Sequence, residues 1–271
     1  MNKTRIALFA ALTALSSTSA FAQNILWGNS AQNVAAANIE SFNKLSGVRT
    51  NQFAGSRGNG RGVVVVGNTV YYTMTDENKI RMMDATTGAD LGFITTSVAS
   101  MSTIAWDGSQ FWTSDYSGSN KAYRINTSGV VTTTIALSQA SGNSDGMEYF
   151  NGKLIANRAD GGGVYDIYDL AGNALTLGFI DTGVTSTGIA YDGTNFYVSK
   201  IFNDAIGVYD GTTGAWIQDI GLTPQSGRLI EDLSVDYEQR VDTTSTPEPA
   251  SMVLMATGLL GLGVVTRRRR R

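Results

Sequence analysis

Two stretches, Met83-Asp84-Ala85-Thr86-Thr87-Gly88 and Tyr209-Asp210-Gly211-Thr212-Thr213-Gly214, repeat one turn phrase 126 residues apart. An Asp that bonds the backbone ahead of it, then a Gly free to take positive φ, is turn chemistry. Looser copies are Phe42-Asn43-Lys44-Leu45-Ser46-Gly47, Ile125-Asn126-Thr127-Ser128-Gly129 and Tyr168-Asp169-Leu170-Ala171-Gly172. The leading residues Asn43, Asp84, Asn126, Asp169 and Asp210 are spaced 41, 42, 43 and 41 apart. So constant a period marks a repeat architecture.

A second phrase keeps the same period. Gly188-Ile189-Ala190-Tyr191-Asp192-Gly193 precedes Phe196-Tyr197-Val198, and Thr103-Ile104-Ala105-Trp106-Asp107-Gly108 precedes Phe111-Trp112-Thr113. The same order recurs before Val70-Tyr71-Tyr72 and before Leu154-Ile155-Ala156. A short apolar strand, a polar turn and a second apolar strand make a hairpin. Two hairpins in about 43 residues make four strands, which is a β-propeller blade. Gly-rich turns every ten residues or so exclude the long helices of other repeats with this period.

The expected fold is all-β: a propeller over 23–240 with five blades, six being the alternative and seven having no room. Whole units span 60–96, 101–138, 144–182 and 186–221. The fifth is split. Asp232-Leu233-Ser234-Val235-Asp236-Tyr237 reads as an innermost strand, and Ile25-Leu26-Trp27 with Phe42 to Phe53 supplies the other three. Chain ends paired in this way close the ring and cover the edge that the end strands would otherwise leave open. Trp106 and Trp112 read as packing between blades, while Trp27 and Trp216 are less constrained.

The chain has no histidine and no cysteine. That removes imidazole bases, His-ligated metals, thiolate chemistry and disulfides. No catalytic set is assigned. Aligning the first strands places Arg61, Ser102, Asp145, Thr187 and Glu231 at one position, and Gly62, Thr103, Gly146, Gly188 and Asp232 at the next. Charge gathers in Asp145, Glu148, Glu231 and Asp232, with Arg61 near. Three readings stand: strand ends with an ion pair to Arg61, a Ca²⁺ held by carboxylate and carbonyl oxygens, or an acid and base pair. Beyond a candidate Ca²⁺, no cofactor is indicated. Asp76, Asp115, Arg158 with Asp160, and Asn203 with Asp204 fall in the loops after the second strands and read as turn-formers.

The two ends carry addresses. Lys3 and Arg5 precede the apolar Ile6–Leu15, and Ala20-Phe21-Ala22 is a small-x-small cleavage site, so 1–22 reads as a signal peptide with Gln23 first in the mature chain. At the other end, a linker over 241–249 holds Pro247-Glu248-Pro249. It is followed by an uncharged run over 250–266 and by Arg267, Arg268, Arg269, Arg270 and Arg271. Those 17 apolar residues make about 25 Å of helix, enough for a thin bilayer core. The arginines stay cytoplasmic and the body is exported. Lys3, Arg5, the five terminal arginines and Glu248 lie in these ends, so the 20 basic and 23 acidic residues reduce to 13 and 22 in the body. A net of −9 excludes nucleic acid as a partner.

Pro247-Glu248-Pro249, the apolar run and the arginine cluster, in that order, resemble a PEP-CTERM protein-sorting signal. The resemblance covers about 26 residues and says nothing of the body's activity. It implies export through the Sec machinery and processing by the membrane protease exosortase, which releases or re-anchors the body. It also implies a Gram-negative bacterium that makes extracellular polysaccharide, and a polysaccharide or surface protein as partner.

Overall fold

The computed structural model describes residues 24–238, apart from 32–37, 56–58, 75, 140–143, 159–162 and 224–228. The expected signal peptide, the Pro-Glu-Pro motif, the apolar run, the terminal arginines and Asp160 lie outside the described residues. Among the described residues, twenty strands form five four-stranded antiparallel sheets. Blade 1 holds β4 (Gly60–Val66), β5 (Thr69–Met74), β6 (Lys79–Asp84) and β7 (Asp90–Thr95). Blade 2 holds β8 (Ala105–Trp106), β9 (Phe111–Ser114), β10 (Lys121–Ile125) and β11 (Val131–Ala136). Blade 3 holds β12 (Met147–Phe150), β13 (Lys153–Asn157), β14 (Val164–Tyr168) and β15 (Ala174–Asp181), and blade 4 holds β16 (Ser186–Tyr191), β17 (Asn195–Lys200), β18 (Ala205–Asp210) and β19 (Trp216–Gly221). Blade 5 runs β20 (Ile230–Ser234), β1 (Ile25–Ser30), β2 (Ile39–Asn43), β3 (Arg49–Phe53) from the axis outward.

The two ends of the body therefore share a sheet: Trp27 faces Ser234, Gly28 faces Leu233 and Asn29 faces Asp232 in antiparallel register. The closing strand starts at Ile230, two residues before the expected Asp232. Val235 and Asp236 continue past its end, and Asp236 bridges Val65 of blade 1 in parallel. The innermost strands follow one another around the ring as β4, β8, β12, β16 and β20.

Blades pack face to face, so inner and middle strands are covered on both sides and read as continuous apolar runs. Val63-Val64-Val65 shows the result: Val63 and Val65 join the seam with blade 5, and Val64 the seam with blade 2. Five apolar clusters, one per pair of neighbouring blades, form the core. Trp106 packs into the seam between blades 1 and 2, and Trp112 into the seam between blades 2 and 3. Trp27 is buried against Phe53, whereas Trp216 is exposed and donates from Nε1 to Asp219.

The repeated turn phrase joins the blades as well as the strands. Asp210 Oδ1 accepts from the backbone N–H groups of Thr212 and Thr213, and Asp84 does the same for Thr86 and Thr87. Gly214, at φ +71°, sits so close to blade 3 that a Cβ there would lie 1.9 Å from the Phe179 carbonyl oxygen. Gly129 and Gly172 meet Thr95 and Ala136 in the same way. Each of these turns docks on the outer strand of the preceding blade, and only glycine fits both the backbone and the gap.

Candidate functional site at the channel mouth

The first strands begin at one end of the channel, where Arg61, Ser102, Asp145, Thr187 and Glu231 form a polar tier. Arg61 Nη1 lies 3.3 Å from Glu231 Oε2, and both side chains are largely buried. Ser102 donates its hydroxyl to Asp145 at 2.6 Å. The Arg61 guanidinium also lies over the Tyr116 ring, 4.5 Å from its centroid. Burial pushes Glu231 up to about 7, reinforced by Asp145 and opposed by Arg61 and Thr187. Burial raises Asp145 too, against the Ser102 hydrogen bond and the Arg61 charge.

The next tier closes the axis. Three of its five members are glycines because the inner strands approach too closely for a side chain. A Cβ on Gly62 would lie 2.6 Å from the Ile104 nitrogen, one on Gly146 1.7 Å from the Thr187 carbonyl oxygen, and one on Gly188 2.4 Å from the Asp232 Cα. The space they leave is used by Asp232, which is fully buried. Its Oδ2 accepts from the Val63 N–H at 3.1 Å, the Thr103 hydroxyl at 3.0 Å and the Ile104 N–H at 3.2 Å. Its Oδ1 accepts from the Leu233 N–H at 3.0 Å. Burial raises this carboxyl well above its ordinary range despite those four donors.

An innermost strand has a free edge, whose buried N–H groups need acceptors. Side chains of the neighbouring blade supply them. Ser234 Oγ accepts from Val65 and Asp236 Oδ1 from Gly67, extending the Asp232–Val63 contact down the strand. Thr103 Oγ1 accepts from Met147 and Glu148 Oε2 from Tyr191. Glu148 Oε1 takes the Tyr237 hydroxyl.

Of the sequence-derived candidates, Arg61, Asp145 and Glu231 share the mouth, Asp232 lies one tier deeper, and Glu148 bonds elsewhere along the inner strands. Among the described residues no three acidic, His or Cys side chains are placed to hold a metal ion. Sequence reading missed Tyr116, and it read Ser234, Asp236 and Tyr237 only as part of an inner strand, without their bonds to Val65, Gly67 and Glu148. The alternation Asp232, Ser234, Asp236 on a strand was a signal for polar acceptors on one face. Of the loop residues, Asp76 and Asp204 take positive φ, Arg158 pairs with Asp166 at 2.7 Å, and Asp115 accepts from Ser117, Ser119 and Tyr123.

A solved structure superposes on the body. A chain of the crystal structure of a nidogen/laminin complex superposes with a TM-score of 0.52 at 13% identity, over 78% of this chain and 97% of that one. Glutaminyl cyclase of Myxococcus xanthus matches 70% of this chain and 76% of its own, with a TM-score of 0.47 at 14% identity. A designed protein, Ika8, matches 79% of this chain and 63% of its own, with a TM-score of 0.42 at 14% identity. No curated protein matches the sequence. Among the described residues no helix is long and apolar enough to cross a membrane. Residues 245–270 match the PEP-CTERM protein-sorting motif, so this five-bladed propeller carries a PEP-CTERM sorting tail.

Proposed function

We propose that the protein is an exported interaction module, held at the cell surface or in the extracellular matrix through its sorted tail and associated there with polysaccharide. The observation that carries this reading is the sorting motif at 245–270 joined to a propeller body. The body also suits a scaffold. Glu148 and Asp232 accept from the backbone of neighbouring inner strands, and Glu231 pairs with Arg61. In this reading the tail inserts in the membrane and exosortase processes it. Deleting 246–271 and fractionating cells tests the reading. The truncated chain is expected in the soluble exported fraction, and retention equal to wild type would overturn it.

One observation favours a second reading, a hydrolase using mouth carboxylates. Glu231, held at about 7 beside Asp145, has the property of a general acid or base. Glycoside or lactone hydrolysis lost in Glu231→Gln would establish it, and no turnover by wild type would remove it.

A further inference from the structure

Beside the mouth, where the exit of blade 1 meets the loop between β9 and β10, lies an open pocket of about 380 Å³. Small-molecule sites commonly run ~300–1,000 Å³. Part of its lining is apolar, from Val98 and Val131. Around these stand the hydroxyls of Ser100, Ser117 and Thr134 and the ring of Tyr116. Among the described lining residues there is no lysine or arginine, and the one charged group is Asp115. Its Oδ1 accepts from the Ser117 and Ser119 hydroxyls at 2.6 and 2.9 Å, and its Oδ2 from the Tyr123 hydroxyl at 2.6 Å. Although burial opposes it, these hydrogen bonds hold the Asp115 carboxyl below its ordinary range.

Tyr116 is the distinctive wall. The Arg61 guanidinium lies over its ring, yet the residue lines the pocket and is 46% exposed. Arg61 is itself tied to Glu231, which holds the ring in place before any ligand arrives. An apolar lining, a fixed aromatic ring and several hydroxyls suit a ligand with one C–H face and a rim of hydroxyls. The Asp115 carboxylate in the lining disfavours anions, and the Arg61 guanidinium over the Tyr116 ring is already paired with Glu231.

We propose that this pocket binds one neutral pyranose unit, stacked on Tyr116 and hydrogen-bonded through Ser100, Ser117 and Thr134. The inference rests on the polysaccharide-associated reading above and assigns it a site. The full-length chain, kept in a detergent without a sugar head-group, would be titrated with methyl glucoside, methyl galactoside and methyl glucuronide by saturation-transfer NMR. At least one neutral glycoside is expected to bind, with the glucuronide weaker. Tyr116→Ala is expected to weaken binding about three- to tenfold, as for loss of one aromatic contact. Thr134→Arg, at an exposed position of the lining, is expected to weaken it as well. Glucuronide binding as tight as neutral glycoside, or both variants binding like wild type, would overturn the proposal. If the chain holds purified extracellular polysaccharide and both variants hold it equally, the pocket is wrong and the surface-module reading survives. If it holds neither polysaccharide nor glycoside, both fall.

Discussion

Asp232 Oδ2 accepts the backbone N–H of Val63 at 3.1 Å, across 169 positions of sequence, and so ties the last strand of the ring to the first whole blade. The same oxygen holds Ile104 and Thr103 of blade 2. Removing the carboxyl strands four donors, these three and the Leu233 N–H, and each costs about 1–3 kcal/mol when left buried and unpaired. Asp232→Ala is therefore expected to lower stability by roughly 3–5 kcal/mol in urea unfolding. Asp232→Asn keeps an acceptor oxygen and should lose less. Equal losses for the two variants would contradict the hydrogen-bonding role.

Acidity follows from the same burial. Glu231, Asp145 and Asp232 have raised folded-state values, so the folded chain binds protons that the unfolded chain has released. Their contribution is full below about pH 4 and is lost as pH rises, for Glu231 through about 7. The turn carboxyls Asp84, Asp169 and Asp210 are shifted down, chiefly by hydrogen bonds within their turns. Their contribution is present above about pH 4 and is lost on acidification below that. Melting temperature is thus expected to fall between pH 5 and pH 7.5, and Glu231→Gln to flatten the fall. Identical pH profiles for wild type and variant would refute the assignment.

Ring closure makes a contrast between two truncations. Leu233 is buried in the seam between blades 4 and 5 and faces Gly28 across the closing pair. A chain ending at Gln225 lacks β20 and should melt far below one ending at Val241. Leu233→Ala alone should lose about 2–5 kcal/mol. The two truncations melting together would mean the ends are not joined.

Two glycines separate backbone strain from docking. Gly108 has φ +94° with no atom within 4 Å of a Cβ, whereas Gly214 has φ +71° and the Phe179 carbonyl oxygen at 1.9 Å. Gly108→Ala should cost about 1–2 kcal/mol. Gly214→Ala should cost a further 1–3 kcal/mol or so, because blade 3 must move. Equal effects in thermal melts would show that the turn does not brace the neighbouring blade.

The blades were legible because each turn is local chemistry repeated under one packing requirement. Asp84 and Asp210 bond backbone two and three positions ahead, a distance sequence reading handles well. Closure was legible for the same reason, since the last inner strand repeats the phrase of the others. The site was legible only in part. Alignment grouped Arg61, Asp145 and Glu231 at one level and Glu148 further along the first strands, where it bonds Tyr191 and Tyr237 instead. Tyr116 was missed because its partner, Arg61, lies 55 positions away and in another blade.

The order of synthesis turns closure into a matter of time. β1 opens the folded body, and its axial partner β20 comes about 200 residues later. At ~5–20 residues per second, a ribosome delivers that partner roughly 10–40 s after β1 is made. Throughout the wait, β1 offers an unpaired edge and the seam around Leu26 lacks Leu233 and Val235. Such an edge recruits other strands. A companion that covered the first strand until the last one emerged would shorten that exposure.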